Sequence, residues 1–284
     1  KSPHWAMRMF KSLTYAATLG NPRAAMTQLG DTYLAAYKAG NLLATLRTTL
    51  TQVIIPGRKN TLRISDYGLI DISEEFTTEG MSKTHWFMRQ AFKWSGFRGV
   101  DRIGKETILN QGFKKYMKEV GNPTTLEAFK KKWLPSFGDD LPDLIDDLKA
   151  GNLDSERVKL LLWHELSDMQ PITLSEMPQK YLEHPNGRTF YMLKTFTLKQ
   201  FDVMRRDGFQ LMANKGTRIE GAKNLLRYAT YFVAGGMTSA NVKKWLMGEV
   251  MDEDDWNDAF INNVWKLGGW NKYGADKFSE SADL

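Results

Sequence analysis

His164-Glu165 is the pairing in this sequence best suited to chemistry. In zinc hydrolases a His-Glu step is followed by a second His four residues after the first. Both imidazoles then share a helix face, and the Glu acts as general base. Here that place is taken by Asp168, which can bind zinc but breaks the signature. The pair therefore reads as a surface His and Glu. His4, His85 and His184 are scattered and show no ligand spacing. The carboxylates Asp139, Asp140, Asp143, Asp146 and Asp147 form a second candidate. Polymerases and nucleases hold two magnesium ions with paired carboxylates, drawn from separate elements. These lie in one short run and read instead as an acidic helix start, favoured by the macrodipole. Gly57-Arg58-Lys59 lacks the spacing of a phosphate loop, and no Gly-x-Ser-x-Gly elbow occurs. Cysteine is absent, which excludes thiol catalysis, disulfides and thiolate metal sites. No catalytic, cofactor or metal residue is assigned, and the chain is expected to have no enzymatic activity of its own.

Basic residues interleaved with aromatics are the remaining candidates, and they concentrate between Asn186 and Met212. An Asn-Gly turn there leads into a long helical pattern. At 100° per residue, Phe190, Leu193, Phe196, Phe201, Met204 and Leu211 share one broad apolar face. Tyr191, Leu198 and Phe209 form a second stripe, beside a polar strip of Arg188, Lys199 and Arg206. Two stripes imply burial on two sides, in a bundle centre or at an assembly contact. Tyr191, Leu198 and Phe209 are thus the candidate assembly residues. Arg188, Lys199 and Arg206, with Lys223 and Arg227 further on, are the candidates for DNA or lipid contact. The competing reading is that aromatics at helical spacing are simply core.

The run Phe190-Tyr191-Met192-Leu193-Lys194-Thr195-Phe196-Thr197-Leu198-Lys199 resembles a segment near the C-terminus of internal virion proteins, the ejection proteins of short-tailed bacteriophages. In those proteins a similar run precedes a small-residue apolar helix, and Leu225 to Met237 is the matching segment here. A looser likeness extends to the Tyr15 to Thr49 helices and the Met88 to Gly121 region. Similar segments also end giant phage polypeptides, including virion-packaged RNA polymerase. The resemblance implies a structural part of an ejection protein. Such a protein is packaged in the capsid interior and delivered to the host envelope and periplasm, where it helps form a conduit for DNA. Its implied partners are other virion or ejection proteins, further copies of itself, phage DNA and the host membrane interface. The alternative implied role is the encapsidation region of a giant packaged enzyme.

Composition is compatible with both. The 284 residues can bury a sizeable core, and 42% hydrophobic with 25% charged residues is ordinary for a globular chain. Nine Trp and fifteen Phe argue against disorder. The net charge of +6 permits contact with DNA or anionic lipid without requiring it. No apolar run reaches the roughly 18 to 20 residues that span a bilayer. The sequence opens on Lys1, which reads as a processed product, an expression product or a portion of a longer chain.

Caps, Gly stops and 3.6-residue periodicity predict an all-α multi-helix bundle of short, kinked helices. Helices are expected over Pro3 to Leu19, Pro22 to Ala39 and Asn41 to Val53, with Leu42, Leu43, Leu46, Leu50 and Val53 as the apolar face of the third. Further helices are expected over Leu62 to Ile72, from Ser82 to Trp94, and, after a break at Gly96 and Gly99, from Val100 to Gly121. A Thr124/Glu127 capping box should start the next, and Pro135 should end it. Asp154 should cap a helix carrying Val158, Leu161, Leu162 and Leu166. Pro171, Pro178 and Pro185 mark a hinge at 171–185. It divides an N-terminal region, 1–170, from a C-terminal region, 186–284, unless the two form one continuous domain. Beyond it, Gly235-Gly236 should separate helices over Ile219 to Val233 and Ser239 to Gly248. Asp252 to Asp255 should cap the last helix, and the tail from Lys277 should fray.

Overall fold

A computed structural model describes residues 30–55, 61–67, 90, 93–169 and 195–267. The expected helix from Pro3, most of the Ser82 to Trp94 segment, the Pro-rich hinge, Arg188, Tyr191 and the tail lie outside these residues. Among the described residues every regular element is helical, and no strand occurs.

Helix α1 (Gly30–Ala39) stops at Gly40, whose φ of 71° favours a residue without Cβ. Asn41 caps α2 (Leu42–Thr48) by accepting from the Ala44 N–H at 2.9 Å, and the helix widens into a π turn at Thr49–Val53. The span agrees with the sequence pattern, and Val53 is buried as expected, but Leu43 and Leu50 are not. Leu43 is 78% exposed, and Leu50 is exposed as well, whereas Thr45, Thr48 and Thr49 are buried. The threonines turn inward because their partners are polar. Thr48 meets Gln111 and Lys114, and Thr49 lies 3.0 Å from the Thr107 hydroxyl. Where a helix was expected over 62–72, the described residues form a 3-10 turn at Ile64–Tyr67.

Gly96, at φ 75°, makes the break before α3 (Phe97–Gly121), while Gly99 lies inside the helix without interrupting it. Helix α3 is the axis of the fold, burying Ile108, Leu109, Phe113, Tyr116 and Val120. Asn122, not Thr124, caps α4 (Pro123–Phe137), accepting from the Thr124 N–H at 3.0 Å. Nor does Pro135 end α4, which runs on to Phe137 and stops at Gly138. A proline inside a helix costs about 3 kcal/mol. Phe129, Trp133 and Phe137 are all buried at four-residue spacing, each contributing about 1.5–3 kcal/mol, and their shared face outweighs the loss.

Helix α5 (Leu141–Ala150) buries Leu141, Leu144, Ile145 and Leu148. Helix α6 (Glu156–Met169) follows and is capped by Ser155 in place of Asp154. The Ser155 hydroxyl accepts from the Val158 N–H at 3.4 Å. Arg157 joins the two helices by reaching Asp143 at 2.8 Å, Asp140 at 3.4 Å and Asp147 at 3.7 Å.

The central stretch contains α7 (Thr195–Met204), a π turn at Arg205–Phe209, and α8 (Gln210–Ala213). A π turn carries one extra residue, so faces drawn at 100° per residue lose register across it. Val203 is 1% exposed and Gly208 is buried, whereas Phe201, assigned to the apolar face, is 46% exposed. Helix α9 (Arg218–Leu246) runs unbroken through Gly235-Gly236, correcting the expected stop. Its glycines serve close approach. A Cβ at Gly235 would sit 2.9 Å from the Tyr33 ring, and one at Gly236 would overlap Asn263 of α10 (Glu253–Leu267). One apolar core takes side chains from both sides of the Pro-rich segment. Val203 and Tyr228 belong to the same cluster as Leu34, Leu109 and Leu161.

Candidate functional site

Charged side chains from α1, α6 and the π turn converge on one node beside this core. Lys38, in the last turn of α1, lies 3.5 Å from Asp207 and 3.7 Å from Asp168. Arg206 reaches both carboxylates as well, Asp168 at 3.1 Å and Asp207 at 3.0 Å. The Tyr37 hydroxyl donates to Asp207 at 3.3 Å. Burial alone would raise the Asp207 pKa. Lys38, Arg206 and the Tyr37 hydroxyl outweigh it and hold the carboxyl below its usual range. Two cations and two carboxylates thus balance, and the node joins three elements distant in sequence.

Glu165 adjoins this node and lies deeper. It is 2% exposed, so the surface His-Glu reading holds only for His164, which is partly exposed. The Tyr116 hydroxyl donates to Glu165 Oε2 at 2.5 Å, and Lys115 Nζ stands 3.7 Å from Oε1. Burial again works to raise the carboxyl pKa, but Lys115, Lys38, the Tyr116 hydroxyl and Lys132 overcome it. The net result is a fall to about 2. A group with that pKa stays ionised at neutral pH and makes a poor general acid. Burial and the adjacent Glu165 push the Tyr116 phenol well up, so it stays a protonated donor. The chemistry available here is a fixed negative charge that gathers ammonium groups from α1, α3 and α4.

This centre carried a signal that a motif search passes over. Glu165 sits on the helical stripe of Val158, Leu161, Leu162, Leu166 and Met169, all buried. A carboxylate on an apolar stripe needs a cation and a donor, and Lys115-Tyr116 supplies both. The carboxylates of α5 are instead drawn together by Arg157, and no group of three or more His, Asp or Glu among the described residues is placed to hold a metal.

Of the residues singled out from sequence, Arg206 belongs to the ionic node, its guanidinium shared between two carboxylates. Lys223 and Arg227 are exposed, one turn apart on α9. Leu198 and Lys199 fall within α7, their side chains outside the described residues, and Arg188 and Tyr191 lie outside entirely. Phe209 is exposed on the π turn.

Other large apolar side chains also face outward. On α10, Ala259 and Asn263 are buried, whereas Trp256, Phe260, Ile261 and Val264 are exposed. Trp245 and Val250 are exposed just before it, and Leu226 on the body of α9. No helix of the described residues is long and apolar enough to cross a membrane. No family model, no curated protein and no solved structure matches the chain.

Proposed function

We propose that this chain is a structural, non-enzymatic part of a bacteriophage internal virion protein, packaged in the capsid and delivered to the host envelope to help form a conduit for DNA. The likeness of Phe190 to Lys199, followed by Leu225 to Met237, points to that class. The observation that carries an assembly role is the outward placement of large apolar side chains on α2 and α10 over polar or small buried faces. An isolated domain ordinarily arranges these the other way, and exposed apolar patches mark interaction surfaces. The buried charges fit a structural role too, since Glu165 and the Lys38-Asp168-Arg206-Asp207 node hold elements together.

Mass spectrometry of purified particles and of infected-cell envelope fractions tests this. The chain should occur in the particle before infection and in the envelope fraction afterwards. Its absence from particles, or cleavage of peptidoglycan or primer-free RNA synthesis by the purified chain, refutes the proposal. Polymerase motifs in the same polypeptide upstream would assign the chain to a packaged enzyme's encapsidation region instead.

A further inference from the structure

The outward apolar face of α2 is bordered by basic side chains. Leu43, Leu46, Leu50 and Ile54 recur at steps of three and four residues, and Leu43, Leu50 and Ile54 are 78%, 61% and 47% exposed. Thr45, Thr48, Thr49 and Val53, on the opposite side, are buried. Thr48 is held by Gln111 and Lys114 and Thr49 by Thr107, so α2 is pinned to α3 with its aliphatic side outward. No Asp or Glu occurs between Asp31 and Asp66, whereas Lys38, Arg47, Arg58, Lys59 and Arg63 all fall in that stretch. Arg47 is exposed beside the aliphatic stripe. At the start of α2 the Arg227 guanidinium, from α9, stands 3.8 Å from the place a Cβ would take on Gly40. At its end Arg63 donates to the carbonyls of Val53 at 3.0 Å and Ile55 at 3.4 Å. Arg63 also holds Glu106, which is 1% exposed. Asp66 accepts from the Arg63 N–H at 2.7 Å within its own turn. Neither Arg47 nor Arg227 forms an ion pair with a carboxylate among the described residues.

We propose that this face of α2 docks on an anionic lipid surface. The helix lies in the plane of the interface, with Leu43, Leu46, Leu50 and Ile54 at the acyl boundary and Arg47 reaching back to the headgroup phosphates. Charge selects the occupant: the border is basic, and each Lys or Arg near an anionic leaflet adds to the attraction. A second copy presenting the same face would bring Arg47 towards Arg47, with no exposed carboxylate on α2 to answer it. The stripe is also aliphatic throughout, whereas protein contacts centre on Trp, Tyr and Arg anchors seated in pockets. The contact is one of lying on the membrane, since no helix of the described residues is long and apolar enough to cross it. The exposed face of α10 differs in sign. Asp252, Glu253, Asp254 and Asp258 are exposed on or just before that helix, and anionic headgroups repel them. These grounds lie in α2 itself and hold whether or not the chain comes from a virion, so vesicle binding and particle composition fail separately.

Co-sedimentation of the 284-residue chain with vesicles tests it. The chain should bind vesicles of phosphatidylcholine and phosphatidylglycerol, more weakly as salt is raised, and bind phosphatidylcholine alone far less. The double variant Leu43→Ser, Leu50→Ser leaves the net charge unchanged and should lower binding at least about tenfold, with unchanged far-ultraviolet circular dichroism. Arg47→Glu should lower it about tenfold by reversing one charge at the headgroups. Phe260→Ser, which removes an equally exposed apolar side chain from α10, should leave it unchanged. No binding to the anionic vesicles overturns the proposal, as does binding indifferent to the leucine pair and to Arg47→Glu. Self-association of the chain in the absence of lipid, abolished by Leu43→Ser, Leu50→Ser, would also overturn it and assign the face to a second copy.

Discussion

Replacing Glu165 with Gln keeps the side chain's shape and removes its charge. In the folded protein the carboxyl pKa falls from 4.5 to about 2, because Lys115, Lys38, the Tyr116 hydroxyl and Lys132 outweigh the cost of burial. At about 1.4 kcal/mol per unit, the ionised carboxylate contributes about 3 kcal/mol to stability. That agrees with the 3 to 5 kcal/mol typical of removing one partner from a buried ion pair. The sign follows from a folded pKa below the unfolded one. The contribution is complete above about 4.5 and is lost as the pH falls towards about 2. Asp101, which burial pushes up against the pull of Lys105, titrates in both proteins and drops out of the comparison. Urea unfolding followed by circular dichroism should therefore place Glu165→Gln about 3 kcal/mol below the parent protein at pH 7, with the gap narrowing between pH 4.5 and pH 3. A gap under about 1 kcal/mol at pH 7, or one that is constant with pH, would refute the assignment of Glu165 as the charge centre of the core.

Val203→Ala should cost about 2 kcal/mol in the same assay and Phe201→Ala under about 1 kcal/mol; the reverse order would return Phe201 to the core. Gly221→Ala should destabilise severely, since its Cβ would stand 2.6 Å from the Gly208 carbonyl and the Met212 amide, backbone atoms with little room to move. Gly236→Ala should also destabilise, but pairing it with Asn263→Ala should recover much of the loss, because there the obstacle is a side chain; equal losses in single and double variants would refute this. Arg157→Ala should change stability by under about 1 kcal/mol at physiological salt, its two nearer carboxylate partners, Asp140 and Asp143, being largely exposed, and by more at low salt.

Helix boundaries were legible wherever backbone conformation decides them. Gly40, Gly96 and Gly151 take positive φ and end or separate helices as their sequence positions suggest. Asn41 was legible as a helix start, and Asn122 was visible just before the Thr124 assigned as cap. Faces were less legible, because periodicity reports which side chains are apolar and not which neighbour they meet. Leu43 and Leu50 have the spacing of a core stripe, yet α2 turns its threonines towards Thr107, Gln111 and Lys114. Phe201 faces out because α7 turns Gln200 and Val203 inward, Gln200 meeting Tyr228, and beyond α7 the π turn, which has no composition of its own, adds a residue that a helical projection does not count. Gly235-Gly236 reads equally as a stop or as a contact surface, and only Tyr33 and Asn263, far away in sequence, decide between them. Glu165 is less legible, since His164-Glu165 matches the opening of a zinc motif while a carboxylate on an apolar stripe belongs to no motif.

The π turns at Thr49–Val53 and Arg205–Phe209 give the chain places where its length can change by one. Each is a stretch of α-helix that has taken up a supernumerary residue by widening one turn. Deleting a residue within Arg205–Phe209 should tighten that turn to ordinary α-helix while leaving its two flanks close to their present orientation. Val203 and Leu211 would then keep close to their present relation. An insertion absorbed in this way leaves both flanks in register with their neighbours, whereas the same insertion in the middle of α3 would turn Tyr116 away from Glu165. The widened turns are thus the joints at which this helical fold tolerates a count error, and its central helix is where it does not.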